Sequence, residues 1–247
     1  MVINEKKLKS SLPNLNILFC NTIDSTNEEC KRRENENTPL LVVAREQTSG
    51  KGRMGRSFLS QKDSGLYMSL MLKASDDIAD TVCITSCASV CVCDAIISLS
   101  NTEPKIKWVN DILVNGKKVC GILCELCCDD NFTPTSVIVG IGMNTNAIFP
   151  KELENIAGNI DNIDTTDICI EIVKNLMYEY EHIKDRKFIE KYRLYSCVIG
   201  KEISYTKNGI TKTATAIGID DNGALILDNN EKLNSGEISV KINNGSE

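Results

Sequence analysis

The stretch EQTSGKGRMGRSF, residues 46–58, places Gly50, Gly52 and Gly55 in a G-x-G-x-x-G order behind the apolar run LLVVA at 40–44. Asp76 follows at the separation where a dinucleotide-binding fingerprint has its ribose carboxylate. A Rossmann loop, however, runs from a strand directly into a helix, so that the pyrophosphate meets the helix N-terminus. Here Arg45 to Ser49 intervene, and the text after Gly55, RSFLSQKDSGLYMSLML, ends in strand-like alternation. A P-loop would need glycine at Arg45 and Ser or Thr at Gly52. What remains is a long glycine-rich loop carrying Lys51, Arg53 and Arg56. Three cations on such a backbone suit a ligand with several negative charges, closed over by side chains and backbone N–H groups. The competing reading is a mobile basic surface loop.

Working outward, strand-like runs (LLVVA, GLYMSLML, KIKWV, GILCEL, TSVIVGIGMN) alternate with helical text at 25–36, 78–99 and 167–193. This predicts an α/β or α+β core. Ser25-x-x-Glu28 reads as a capping box at the start of the first of these helices. After residue 198 the texture changes to short strand runs broken by Asn208-Gly209 and Asn222-Gly223, the mark of tight hairpins. The expected organisation is one unit over 1–197 and a small β-barrel over 198–247.

With 42% hydrophobic and 25% charged residues, the composition is that of a globular enzyme. No apolar run reads as a membrane span and MVINEKKLKS lacks a signal-peptide core, so a cytoplasmic protein is expected. A net charge of −6 argues against bulk nucleic-acid binding. The chain has 12 cysteines. Cys83, Cys87 and Cys91 fall at helical spacing, as small apolar side chains packing one helix face. Cys124 and Cys127 form a C-x-x-C without a second pair, so a zinc site is not expected. The single histidine, His182, stands in the polar text YEYEHIKDRK and reads as a solvated helix position, which leaves no Ser-His-Asp or Cys-His constellation.

Two further stretches carry chemistry. KWVNDILVNGKKVCGILCE, 107–125, sets Trp108, Asn110 and Asp111 before a hairpin and Lys118 on its returning strand. IVGIGMNTN, 138–146, puts Gly140, Gly142 and Asn144 at a strand end, where glycines permit close approach to a ligand. Together with DSTNEE and GKGRMGRSF, in this order, these stretches resemble the biotin protein ligases. The resemblance extends to GALIL and SGEIS, which are similar to that family's SH3-like barrel, and it implies an α+β catalytic unit in which helices pack on a mixed sheet. It implies activation of biotin by ATP-Mg to biotinyl-5′-AMP, then transfer to one lysine of a biotin carboxyl carrier protein. The nucleophile would be the partner's lysine, so positioning and electrostatics carry catalysis.

By that resemblance, Ser25, Thr26, Asn27 and Gln47 would meet the ureido ring of biotin. Gly50, Lys51, Gly52 and Arg53 would order over the acyl chain and phosphate, with Gly121, Gly140 and Gly142 completing the biotin side. Lys118 and Arg53 are the implied catalytic residues. Arg53, Arg56, Phe58, Asn110, Asp111, Lys118 and Asn144 would form the nucleotide side, Phe58 under the adenine and Asp111 near magnesium or phosphate. No permanently bound cofactor is implied. Lys51, Val109 and Phe58 depart from the family's arginine, proline and tryptophan; valine is expected to loosen the backbone before Asn110. The residues before Ser25 are too few for a helix-turn-helix, so a ligase without DNA binding is expected. The resemblance also allows a homodimer. The rivals are a lipoate or octanoate ligase of the same architecture, and a non-catalytic biotin sensor.

Overall fold

The computed structural model describes residues 2–34, 36, 38–75, 77–207, 209–236 and 238–240. Along the chain run α1 (Glu5–Ser11), β1 (Asn16–Cys20), α2 (Thr26–Arg32), β2 (Leu40–Ala44), β3 (Gly65–Lys73) and α3 (Ile78–Leu99). Then come β4 (Lys105–Lys107), β5 (Asp111–Val114), β6 (Lys117–Cys128), β7 (Pro134–Asn144), α4 (Thr165–Glu181) and α5 (Phe188–Tyr195). The chain closes with β8 (Glu202–Lys207), β9 (Ile210–Ile219), β10 (Leu225–Leu227), β11 (Lys232–Leu233) and β12 (Ile238–Val240).

The first seven strands form one mixed sheet, ordered β1-β2-β3-β7-β6-β5-β4. The β1–β2 pair is parallel, joined by the α2 crossover, and the other pairs are antiparallel. Because side chains alternate across a strand, each strand feeds two faces. Leu66, Met68, Leu70, Val137, Val139, Ile141 and Ile122 join α3 and α4 in the main core. Leu40, Val42, Met71 and Ile138 on the other face pack with Cys30 of α2 in a smaller cluster. Beyond that cluster the same face carries glycines. Gly121 pairs with Gly142, which pairs with Tyr67; Leu123 pairs with Gly140, which pairs with Ser69. Half of the face is thus roofed by α2, and the other half is a pit whose floor is backbone.

The second sheet, β11-β10-β9-β8-β12, is antiparallel. It docks on the first through the Asn222-Gly223 turn, whose Gly223 carbonyl accepts the Trp108 indole N–H (3.0 Å), and through Arg193 Nε donating to the Ile219 carbonyl (2.8 Å). Asn208 of the other expected hairpin lies outside the described residues, as do Asp76 and, in the SGEIS stretch, Glu237. The strands on either side of Gly209 pair from Lys207 to Ile210.

Three expectations are corrected. The helix read over 167–193 is broken: α4 ends at Glu181 and Arg186 takes a left-handed φ of 55° before α5. The apolar helix α3 is in fact long enough to cross a membrane, over Asp80–Leu99, but 67% of that window is buried against the sheet, as expected for a core helix. Ser25 occupies the N-cap of α2 without a side-chain capping bond; Asp24 Oδ1 accepts the Ser25 N–H (2.7 Å) and Gln47 Oε1 the Thr26 N–H (2.8 Å) instead. Val109 is buried, and its carbonyl accepts the Tyr192 hydroxyl (2.9 Å).

The cysteine and histidine readings hold. Cys83, Cys87 and Cys91 are buried in the core, and burial pushes the Cys83 thiol up to about 11. Cys124 and Cys127 fall to opposite faces of β6, one in each core cluster. His182 is exposed beyond α4, its ring against Tyr178 at 4.6 Å.

Candidate active site

The pit is walled by Ser25, Thr26 and Asn27 from the start of α2, by Gln47, and by Lys51, Gly52, Arg53 and Phe58 from the glycine-rich loop. Asn110, Lys118, Gly121, Gly140 and Gly142 complete it. Among the residues expected on the biotin side, only Gly50 stays off the wall; a Cβ there would meet the Phe58 carbonyl at 2.5 Å and Ser60 Oγ at 2.6 Å.

The floor is a closed hydrogen-bond network. Ser69 Oγ donates to Asn27 Oδ1 (2.5 Å) and lies 2.7 Å from Thr26 Oγ1. Asn27 Nδ2 donates to Glu125 Oε2 (2.7 Å), and Gln47 Nε2 donates to Ser60 Oγ (2.9 Å). Thr26, Asn27, Ser60 and Ser69 are buried, and each would cost about 1–3 kcal/mol if left unpaired, so the network fixes their orientation before any ligand arrives. Ser69 and Glu125 were missed from sequence. The available signal was a serine among the buried residues of GLYMSLML.

The glycines at 140 and 142 do permit close approach, but to side chains of the protein itself. A Cβ on Gly140 would overlap Asn27 Oδ1, and one on Gly142 would come within 2.5 Å of Phe58 Cε1. With Phe58 laid across Gly142, the pit holds about 50 Å³. That is room for water, against the hundreds of Å³ of a small-molecule site. A ligand the size of biotin therefore requires Phe58, the loop, or both to move.

On the far side of Phe58 and Lys118 lies an open cavity of about 720 Å³, lined by Arg56, Asp111 and Asn144 together with Lys105, Lys107 and Lys201. A smaller one of about 220 Å³ adjoins it, where Asn110 and Asp111 face Gly236, Ile238 and Ser239 of the second sheet. Asp111 is the one carboxylate lining either cavity, and its Oδ1 pairs with Lys118 Nζ at 2.7 Å. Among the described residues Lys105, Lys107 and Lys201 form no ion pair. Phe58 and Lys118 line all three cavities, so they are the wall between the closed polar pit and the open basic space. The sequence reading missed Lys105, Lys107, Lys201 and the second sheet's share of this space. Lys105 and Lys107 flank buried Ile106, which puts both on one strand face.

Sequence and fold comparisons meet this geometry. The description "Biotin/lipoate A/B protein ligase family" matches residues 19–144, just over half the chain, and "Biotin protein ligase C terminal domain" matches 198–241. The chain belongs to the biotin protein ligase family. The bifunctional ligase/repressor BirA of Bacillus subtilis is 34% identical over 94% of this chain and 76% of its own. The biotin–[acetyl-CoA-carboxylase] ligase of Paracoccus denitrificans is 28% identical over 83% of this chain and 90% of its own. Among solved structures, the biotin protein ligase from Aquifex aeolicus in complex with biotin and ATP superposes with a TM-score of 0.74 at 26% identity, covering 92% of this chain and 98% of that one. The α+β class with a mixed sheet and a C-terminal sheet of the SH3-like type is the fold of this family.

Proposed function

We propose that this biotin ligase family member, with residues 1–197 as catalytic unit and 198–247 as C-terminal unit, joins biotin to ATP-Mg and passes the acyl group to a lysine of a biotin carboxyl carrier protein. The observation that carries the reading is the Phe58–Lys118 wall between a polar pit and a basic cavity. A ureido ring has donors and acceptors that the polar wall of Ser25, Thr26, Asn27 and Gln47 can match, whereas an alkyl chain has none to offer it. This favours biotin over lipoate or octanoate.

The acid's carboxylate would then reach the wall where the α-phosphate arrives from the other side. Two like charges must approach, and Lys118, with Lys51 and Arg53 of the loop, offsets their repulsion. The carboxylate oxygen attacks the α-phosphorus, the bond to the β-phosphate bridging oxygen breaks, and pyrophosphate leaves into the basic cavity. Magnesium enters with ATP, and Asp111 is the carboxylate in place to meet it. In the second step the carrier's neutral lysine attacks the acyl carbon, expelling AMP. A sensor without catalysis would not need these cations, and all are present. The net charge of −6 supports a ligase that does not act on DNA.

The test is ATP–pyrophosphate exchange with purified protein and Mg²⁺, comparing biotin, lipoate and no acid. Exchange with biotin alone is expected. Exchange with lipoate instead would move the assignment to the rival ligase, and none with either acid would leave a binding protein.

A further inference from the structure

The glycine-rich loop folds on itself. Gly52 N–H donates to the Arg56 carbonyl (2.7 Å) and Phe58 N–H to the Gly50 carbonyl (2.8 Å), while Met54 at its tip is exposed with a φ of 55°. It is tethered to the body by Arg53 Nη1, which donates to Asn110 Oδ1 (3.2 Å), and by Lys51 Nζ, which pairs with Glu28 Oε1 at 2.6 Å. Glu28 is itself anchored. Lys31 Nζ bridges Glu28 Oε1 (2.9 Å) and Glu125 Oε1 (2.7 Å), and the other oxygen of Glu125 holds Asn27 on the pit floor.

We propose that Glu28 is a positioning residue that clamps the glycine-rich loop at the mouth of the pit, joining Lys51 to the Lys31–Glu125–Asn27 network. It acts through Lys51 and touches no reacting atom. A lysine makes the clamp a point contact, without the two-pronged geometry of a guanidinium, so it opens by breaking one ion pair. The hydrogen bonds from Lys51 and Lys31 hold the Glu28 carboxyl below its ordinary range, so the clamp stays charged at neutral pH. Since ligand entry and exit both require the loop or Phe58 to move, the clamp governs rates more than affinity.

The consequence for the reaction rests on the proposed ligase function; the clamp itself does not. Glu28→Gln should speed release of preformed biotinyl-5′-AMP about two- to fivefold, the scale of one exposed ion pair. Lys51→Ala, which also removes a cation from the pit wall, should speed release at least as much, and adding Glu28→Gln to it should change nothing further. Raising salt should speed release from the unaltered protein but not from Glu28→Gln. Glu36→Gln, which removes a charge from the segment that follows the same helix, serves as control. Amide hydrogen exchange over residues 50–58 in the ligand-free protein tests the clamp whether or not an adenylate forms: faster exchange in Glu28→Gln, with α2 unchanged, is expected. Unchanged loop exchange, or additive effects of the two variants, would overturn it. Absence of biotin-dependent pyrophosphate exchange in the unaltered protein would instead count against the ligase reading.

Discussion

The two sides of the Phe58–Lys118 wall are built on opposite plans. The pit is small and fully paired: Ser69, Asn27, Thr26, Gln47 and Glu125 satisfy one another before a ligand arrives. The far cavity is wide, and Lys105, Lys107 and Lys201 stand there without ion-pair partners among the described residues. A neutral polar ring is recognised by fixed geometry, where a misplaced donor is costly. A polyphosphate is recognised by charge, where several loosely held cations suffice. Specificity should therefore be brittle on one side and catalysis electrostatic at the wall.

The sharpest way to break this comparison is Lys118→Ala. If the wall lysine offsets the meeting charges, adenylate formation in a single turnover should fall about 100- to 1000-fold, the size seen when one charge-stabilising donor is removed. Biotin binding measured without ATP should suffer far less. An unchanged single-turnover rate would move catalysis away from the wall.

Gly140→Ala is next, and it probes the brittle side. The new methyl would overlap Asn27 Oδ1, whose partners Ser69 and Glu125 leave it nowhere to go. The expected cost is about 1–3 kcal/mol of stability, read by denaturant unfolding, with a clear loss of biotin affinity and little change in nucleotide binding. Equal losses for both ligands would mean that the two sides are not independent.

How much of this could be read from the sequence differs between the sides for a physical reason. The loop cations, Lys118 and the inward glycines are visible because each sits in a run whose local order implies a strand end or a hairpin. What Gly140 makes room for is not visible, since Asn27 is brought to it by the α2 crossover rather than by the chain nearby. Ser25-x-x-Glu28 illustrates the same limit. The local pattern is that of a capping box, but Gln47 and Asp24 take the helix-end N–H groups, and Glu28 is drawn to Lys51 and Lys31. Lys201 lies just before β8 of the second sheet, and only the docking of the two sheets brings it to the cavity that Lys105 lines.

A gentler test addresses the charged side. Lys105→Ala with Lys107→Ala removes two cations that line the far cavity and not the pit. The KM for ATP should rise several-fold at low salt, the gap to the unaltered protein should narrow as salt rises, and the KM for biotin should stay put. A shift in both KM values would show that the basic cavity also shapes the pit.

The smallest expected effect concerns how the start of α2 is held at the pit. Asp24 takes over part of the helix cap by accepting the Ser25 N–H, and it pairs with Arg32, whose guanidinium, with that N–H, holds the Asp24 carboxyl down to about 2. A lowered carboxyl pKa contributes stability that is present above its ordinary value, near 4, and lost as pH falls towards 2. Because the pair is half-exposed, solvent screening limits the contribution to less than about 1 kcal/mol. Asp24→Asn should thus be slightly less stable than the unaltered protein at pH 7, with the difference shrinking between pH 4 and pH 2, measured by urea unfolding across that range. The informative part is biotin affinity at pH 7. If it falls with this substitution as well, the start of α2 needs its outer cap to hold Ser25, Thr26 and Asn27 in register. If it does not, the inner bonds from Gln47 and Ser69 are enough, and the preorganisation of the pit resides in the floor alone.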